Sequence, residues 1–246
     1  MIEKQLDIPA KDGGIDTFIC HPERRGPWPA VIFYMDAPGI REELRDMARR
    51  LATVGYYVLL PNLYYRAGAR SLIDTGALGE GSPERKRMFD LMQSLTNGLI
   101  TDDTRHLLAF MDQQREIRKG PVGCVGYCMS GRFVVTVAGR FPDRFAAAAS
   151  VYGVGLMTDQ PDSPHLLARD IKGELYFACA ETDRYAPLSM LGALKTEFER
   201  AGVNFEIEMY PGTEHGFAFP QRYCYDKAAA ETHWERLFDL FRRRLG

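Results

Sequence analysis

Residues 29–35 (Pro29, Ala30, Val31, Ile32, Phe33, Tyr34, Met35) form an apolar run almost without a break. A strand with no polar face to turn toward water belongs inside a sheet covered on both sides. Over 41–54, Leu44, Met47, Ala48, Leu51 and Val54 recur at spacings of three and four, which predicts an amphipathic helix ending at Gly55. Residues 56–60 then read as a strand stopped by Pro61, and 15–20 as an earlier one. The alternation continues downstream. It predicts strands at 121–125, 145–151, 174–180 and 205–210, and helices at 102–115, after Ser130, near 187–201 and at 226–243. This order predicts an α/β fold with a mostly parallel central sheet flanked by helices on both faces.

A chain of 246 residues is expected to form one domain over 1–246. Residues 62–100 interrupt the rhythm with Gly68, Gly76, Gly79, Gly81 and Pro83 before a helical stretch at 85–95, and read as an inserted segment near the site. With 31 basic against 33 acidic side chains and a net charge of −2, no basic surplus points to nucleic acid or an anionic membrane. The first residues carry no apolar signal core, and no apolar run approaches the ~20 residues that span a bilayer, so a cytoplasmic location is expected. Five scattered cysteines, an odd number, predict free thiols. Cys124 and Cys128 lack zinc-site spacing, and neither a metal nor an organic cofactor is expected.

The stretch 122–133 carries a strand into a helix with Cys128 at the turn. Its spacing is that of a nucleophile elbow, a strained turn that leaves room only for small residues two positions before and after the nucleophile. Gly126 and Ser130 stand there. Such a turn aims the thiol out of the sheet's carboxyl edge. It also sets the N–H of Met129 at a helix N-terminus, where it can stabilise an oxyanion and favour a thiolate. Ser130 is a poor rival because Arg132 would occupy a position that must be small. Taken alone, the motif also fits a buried packing cysteine.

A cysteine nucleophile needs a base, and the base an orienter. Asp183 follows the apolar strand 175–180, and His215 follows 205–210. Ligands of open α/β sheets bind outside the carboxyl ends of the strands, so three loops would bring Cys128, Asp183 and His215 together. In isolation Asp183 also fits a helix cap and His215 a satisfied loop histidine. His21, His106, His165 and His233 read as structural.

Four motifs in order resemble the dienelactone hydrolase (carboxymethylenebutenolidase) family of the α/β-hydrolase superfamily, whose members carry Cys where most relatives have Ser. They are Gly126 to Gly131 around Cys128, Tyr152 to Leu156, Glu181 to Pro187, and Glu214 to Phe217. The resemblance spans nearly the whole chain and implies a carboxylic ester hydrolase of the α/β-hydrolase fold. It also implies that Asp36, where relatives more often have Glu, pairs with the resting thiol, and that the N–H of Ala37 is the second oxyanion donor. Arg87 matches one of two arginines that hold a substrate carboxylate. The other falls on Phe219, which leaves half of that clamp missing unless Arg222 or another basic side chain substitutes. Tyr152 is expected to contact substrate.

The resulting expectation is hydrolysis of a small ester or lactone, such as a dienelactone-like enol lactone, through a Cys-His-Asp triad and a thioester acyl-enzyme. The alternative is a non-catalytic or redox-sensing small-molecule-binding member of the same fold. The sequence leaves the oligomeric state, monomer or homo-oligomer, open.

Overall fold

A computed structural model describes residues 1–24, 26–71 and 73–246. The chain divides into two compact units, Met1–Lys119 and Gly120–Gly246. In the first, strands β1 (Ile2–Ala10), β2 (Gly13–His21), β3 (Ala30–Tyr34) and β4 (Tyr57–Pro61) lie in the order β1-β2-β4-β3. Its helices are α1 (Glu42–Thr53), α2 (Pro83–Ser94) and α3 (Asn97–Gln113). The second unit orders β5 (Val122–Tyr127), β6 (Phe145–Val151), β7 (Glu174–Thr182) and β8 (Phe205–Glu214) as β5-β6-β7-β8. Its helices are α4 (Gly131–Arg140), α5 (Leu188–Ala201) and α6 (Lys227–Leu245).

Every residue of β3 is buried, as its apolar run predicts. Parallel ladders join β3 to β4, β5 to β6, β6 to β7 and β7 to β8, whereas β2 pairs antiparallel with both β1 and β4. The mostly parallel α/β architecture expected from the order of elements is therefore the one observed. In β5 the two faces are covered by different helices. A Cβ built on Gly123 would meet Phe241 and Leu245 of α6, and one on Gly126 would meet Val134 of α4. Positions three apart in a strand face opposite ways, so α4 and α6 lie on opposite sides of it.

Two elements depart from expectation. Strand β1 is not predicted because its apolar residues are sparse and only Ile8 is buried. It is held by its antiparallel ladder to β2 across the Lys11–Asp12 turn. Helix α3 starts at Asn97 rather than 102, because the Thr96 side chain caps it by accepting the Leu99 N–H at 3.1 Å. The expected insertion at 62–100 contains short 3-10 turns at Tyr65–Ser71 and Thr75–Ala77, then α2, which Ser82 caps. Leu72 of that segment lies outside the described residues. Among the described residues no helix is long and apolar enough to cross a membrane.

Candidate active site

Strand β5 delivers Cys128 with φ at 55°, a left-handed backbone that a non-glycine residue enters at a cost of about 1–3 kcal/mol. The chain then makes one 3-10 turn, Cys128–Ser130, and runs into α4. Position 126 must be glycine for a local reason: a Cβ there would lie 2.6 Å from the Ser130 carbonyl oxygen and 2.7 Å from a Val134 methyl. The elbow spacing read from the sequence is thus a steric fact of the turn.

The turn is braced by the loop after β6. Tyr127 pairs in register with Val151, so Cys128 and Tyr152 leave neighbouring strands together. Tyr152 is also left-handed, with φ at 36°. The Val154 N–H donates to the Cys128 carbonyl at 3.0 Å. Close approach of the two segments requires glycine on both sides, since a Cβ on Gly131 would lie 2.3 Å from the Gly153 Cα.

The acid and the histidine arise the same way one ladder further on. Thr182 of β7 pairs with Glu214 of β8, and the residues that follow are Asp183 and His215. His215 Nδ1 and Asp183 Oδ2 are 2.7 Å apart, with the side chains 13% and 2% exposed. The other carboxylate oxygen, Oδ1, accepts the N–H groups of Tyr185 at 2.8 Å and Ala186 at 3.2 Å. Asp183 therefore both closes the turn and bonds the imidazole. A carboxylate accepts, so Nδ1 carries the proton, and the hydrogen bond between His215 and the Cys128 side chain falls to Nε2. Burial alone would lower the His215 pKa. The bonds to Asp183 and Cys128, with the charges on both, outweigh it and raise the pKa to about 9. Tyr152 and Tyr185 flank the imidazole, each with its ring centroid 5.0 Å away.

Behind the turn, the hydroxyl of Tyr127 and His233 Nε2 are 3.0 Å apart in a fully buried pair. Phe219 is also fully buried, against Tyr127 and Tyr152, with the Arg222 guanidinium carbon 5.2 Å from its ring centroid. It is a core wall and presents no surface to a ligand. In the first unit, Asp36 is buried and bound by Arg41, with contacts at 2.6 and 3.2 Å. Ala37 next to it is 4% exposed, and Arg87 pairs with Glu84 on α2. Sequence reasoning did not single out Arg41, Tyr185 or Cys224, whose thiol donates to the His215 carbonyl oxygen at 3.2 Å. Only Tyr185, inside the motif that carries Asp183, had a signal to follow. Among the described residues no group of three or more His, Cys, Asp or Glu is placed to hold a metal ion.

Parallel strands, a cysteine at a strained strand-to-helix turn, and an acid and a histidine after later strands define an α/β-hydrolase. A solved structure described as "Putative Dienelactone Hydrolase" from Klebsiella pneumoniae has this fold, with TM-score 0.84, 23% identity and 98% of each chain covered. Residues 15–245 match the model of the dienelactone hydrolase family, and the chain belongs to that family of hydrolases. Two curated relatives are each named "Putative carboxymethylenebutenolidase". The one from Methylorubrum extorquens is 25% identical over 99% of this chain and 81% of its own. The one from Synechocystis sp. is 27% identical over 98% of this chain and 96% of its own.

Proposed function

We propose that the protein hydrolyses a small activated ester or lactone, with Cys128 as nucleophile, His215 as acid and base, and Asp183 as orienter. The observation that carries this reading is one imidazole held at 2.7 Å by Asp183 through Nδ1 and interacting with the side chain of the elbow cysteine. The Cys128 thiolate attacks the carbonyl carbon. The tetrahedral oxygen takes a hydrogen bond from the N–H of Met129. Collapse expels the alkoxide or enolate, which takes its proton from His215 and leaves a thioester. Water then attacks the thioester while His215 accepts its proton, and the acid departs as the thiol is restored.

A thiol nucleophile favours activated carbonyls, because an amine is a poorer leaving group than the sulfur it competes with. Phe219 is buried and Arg87 is engaged by Glu84, so a two-arginine carboxylate clamp has little support here. Aryl esters and enol lactones without a carboxylate are therefore preferred to dienelactone itself. The test is release of p-nitrophenol from p-nitrophenyl acetate beside ring opening of dienelactone. Wild type should hydrolyse the ester faster, and Cys128→Ala should abolish the acylation burst. Asp183→Asn should lower kcat by about two to four orders of magnitude, since the imidazole loses its tautomer control. A burst that survives in Cys128→Ala overturns the assignment.

A further inference from the structure

Strand β5 and helix α6 lie side by side and run in opposite directions. A Cβ on Gly123 would come within 2.9 Å of both Phe241 and Leu245, so the helix is seated against the strand at that point. Alternate residues share a strand face, which puts Tyr127 on the same side as Gly123. The four residues from Gly123 to Tyr127 rise about 13 Å. The eight from Phe241 back to His233 rise about 12 Å, so Tyr127 and His233 arrive level. His233, Leu237 and Phe241, four residues apart, are buried along one face of α6.

There the Tyr127 hydroxyl and His233 Nε2 lie 3.0 Å apart, with both side chains fully buried. On its other side the imidazole bonds the Ala230 carbonyl through Nδ1. A carbonyl only accepts, so Nδ1 carries a proton and Nε2 is presented to the tyrosine. Phe217 and Trp234 close on the ring, with centroids 6.2 and 5.0 Å away. His233 is thus fixed at both nitrogens and walled by aromatic faces.

Tyr127 immediately precedes Cys128, whose φ of 55° is left-handed. Such a conformation persists in a non-glycine residue only where its surroundings over-determine it. The exit side of Cys128 is held by the Val154 N–H on its carbonyl, and the entry side by the Tyr127 side chain tied to α6. The Tyr127 ring also lies 5.9 Å from that of Tyr152, which in turn stands 5.0 Å from the His215 imidazole. One side chain therefore supports both the cysteine and the wall of its histidine.

We propose that Tyr127 and His233 are positioning residues, whose hydrogen bond holds Cys128 in its left-handed backbone and, through Tyr152, steadies His215, so that thiol and imidazole stay aligned. His233, structural by its sequence, thereby has a part in the reactivity of the site. The inference rests on the hydrolase reading above and gives its nucleophile a support.

Removing one partner of a buried hydrogen bond strands the other, whereas replacing both by apolar rings is nearly neutral for stability. Tyr127→Phe, His233→Phe and the double variant therefore separate folding from positioning. Each is to be measured on the full chain for its urea midpoint, its turnover of p-nitrophenyl acetate, and the rate at which iodoacetamide alkylates Cys128 at neutral pH. Both single variants should lower the midpoint, and the double variant should recover most of that loss. All three should lower kcat about tenfold with KM changed little, and should slow alkylation several-fold as the thiol drifts from the imidazole.

A kcat that recovers together with the midpoint in the double variant makes the pair merely structural and overturns the proposal. So does wild-type kcat in Tyr127→Phe, which removes a single hydroxyl, keeps the ring, and decides the matter if the His233 variants fail to fold. If wild type shows no Cys128-dependent turnover, the hydrolase reading fails, and alkylation alone then tests the positioning: slowed rates in the variants uphold it, and wild-type rates overturn it.

Discussion

His215 is the residue on which the candidate site turns, and its environment sets the chemistry of its neighbours. With a pKa raised to about 9 it is an imidazolium at neutral pH, bonded to Cys128. Three of the remaining cysteines lie in the opposite environment. Burial pushes the Cys20 and Cys179 thiols up to about 12, and raises that of Cys124 well above the ordinary value. Cys224 is half-buried and also raised by burial. Brief treatment with iodoacetamide near pH 7 should therefore label Cys128 first, Cys224 slowly, and the three core thiols only after unfolding. Peptide mapping by mass spectrometry reads the order, and His215→Gln should slow Cys128 labelling several-fold. Preferential labelling of a core thiol would contradict the assignment. Asp183 and His215 were legible in the sequence because each follows a predicted strand in a fold whose ligands gather at that edge. Arg41 was not, because a single arginine at a helix start looks like any surface cation until its buried partners are known.

At the scale of elements, the strand-turn-helix around Cys128 was legible because its constraint is steric and local. Small residues two positions either side of Cys128 are visible in any linear reading, and the 2.6 Å approach of a Gly126 Cβ to a backbone oxygen gives the reason. Backbone cannot rotate away as a side chain can. Gly126→Ala should destabilise the protein by about 1–3 kcal/mol through overpacking, and should lower turnover by displacing Cys128. Gly192→Ala within α5 is the control. A Cβ there meets nothing within 4 Å, so the change should stabilise the helix by about 0.5–1 kcal/mol. Urea denaturation of both variants with unchanged slopes checks the pair; equal effects would remove the steric argument. Strand β1 shows what a local reading misses. Its pairing partner lies across a turn and its side chains mostly face solvent, so neither apolar periodicity nor composition marks it. The capped start of α3 escaped for a related reason: one threonine hydroxyl set it, ahead of the apolar pattern.

At the scale of the whole molecule, the acid–imidazole pair links the candidate site to global stability. In the unfolded chain His215 titrates near 6.5, and in the folded protein near 9. Below pH 6.5 both states hold the proton, and the pair contributes in full. Between those values the folded state binds more protons than the unfolded one, so the contribution declines as pH rises, and it is gone above the folded pKa. For a side chain only 13% exposed, the full contribution is on the order of 3 kcal/mol. Other groups titrate in the same range, so the decisive quantity is a difference. The unfolding free energy of wild type minus that of His215→Gln should fall from near pH 6 to near pH 10 and then level off. In Asp183→Asn, which removes the first of the contacts that raise the histidine, the fall should be smaller and should end at lower pH. Cys128→Ala should retain the part due to Asp183 and lose the part due to the thiol. A wild-type difference that stays flat across the window would mean that His215 is neutral in the folded protein, and that the imidazole accepts from the Cys128 thiol instead of donating to its sulfur.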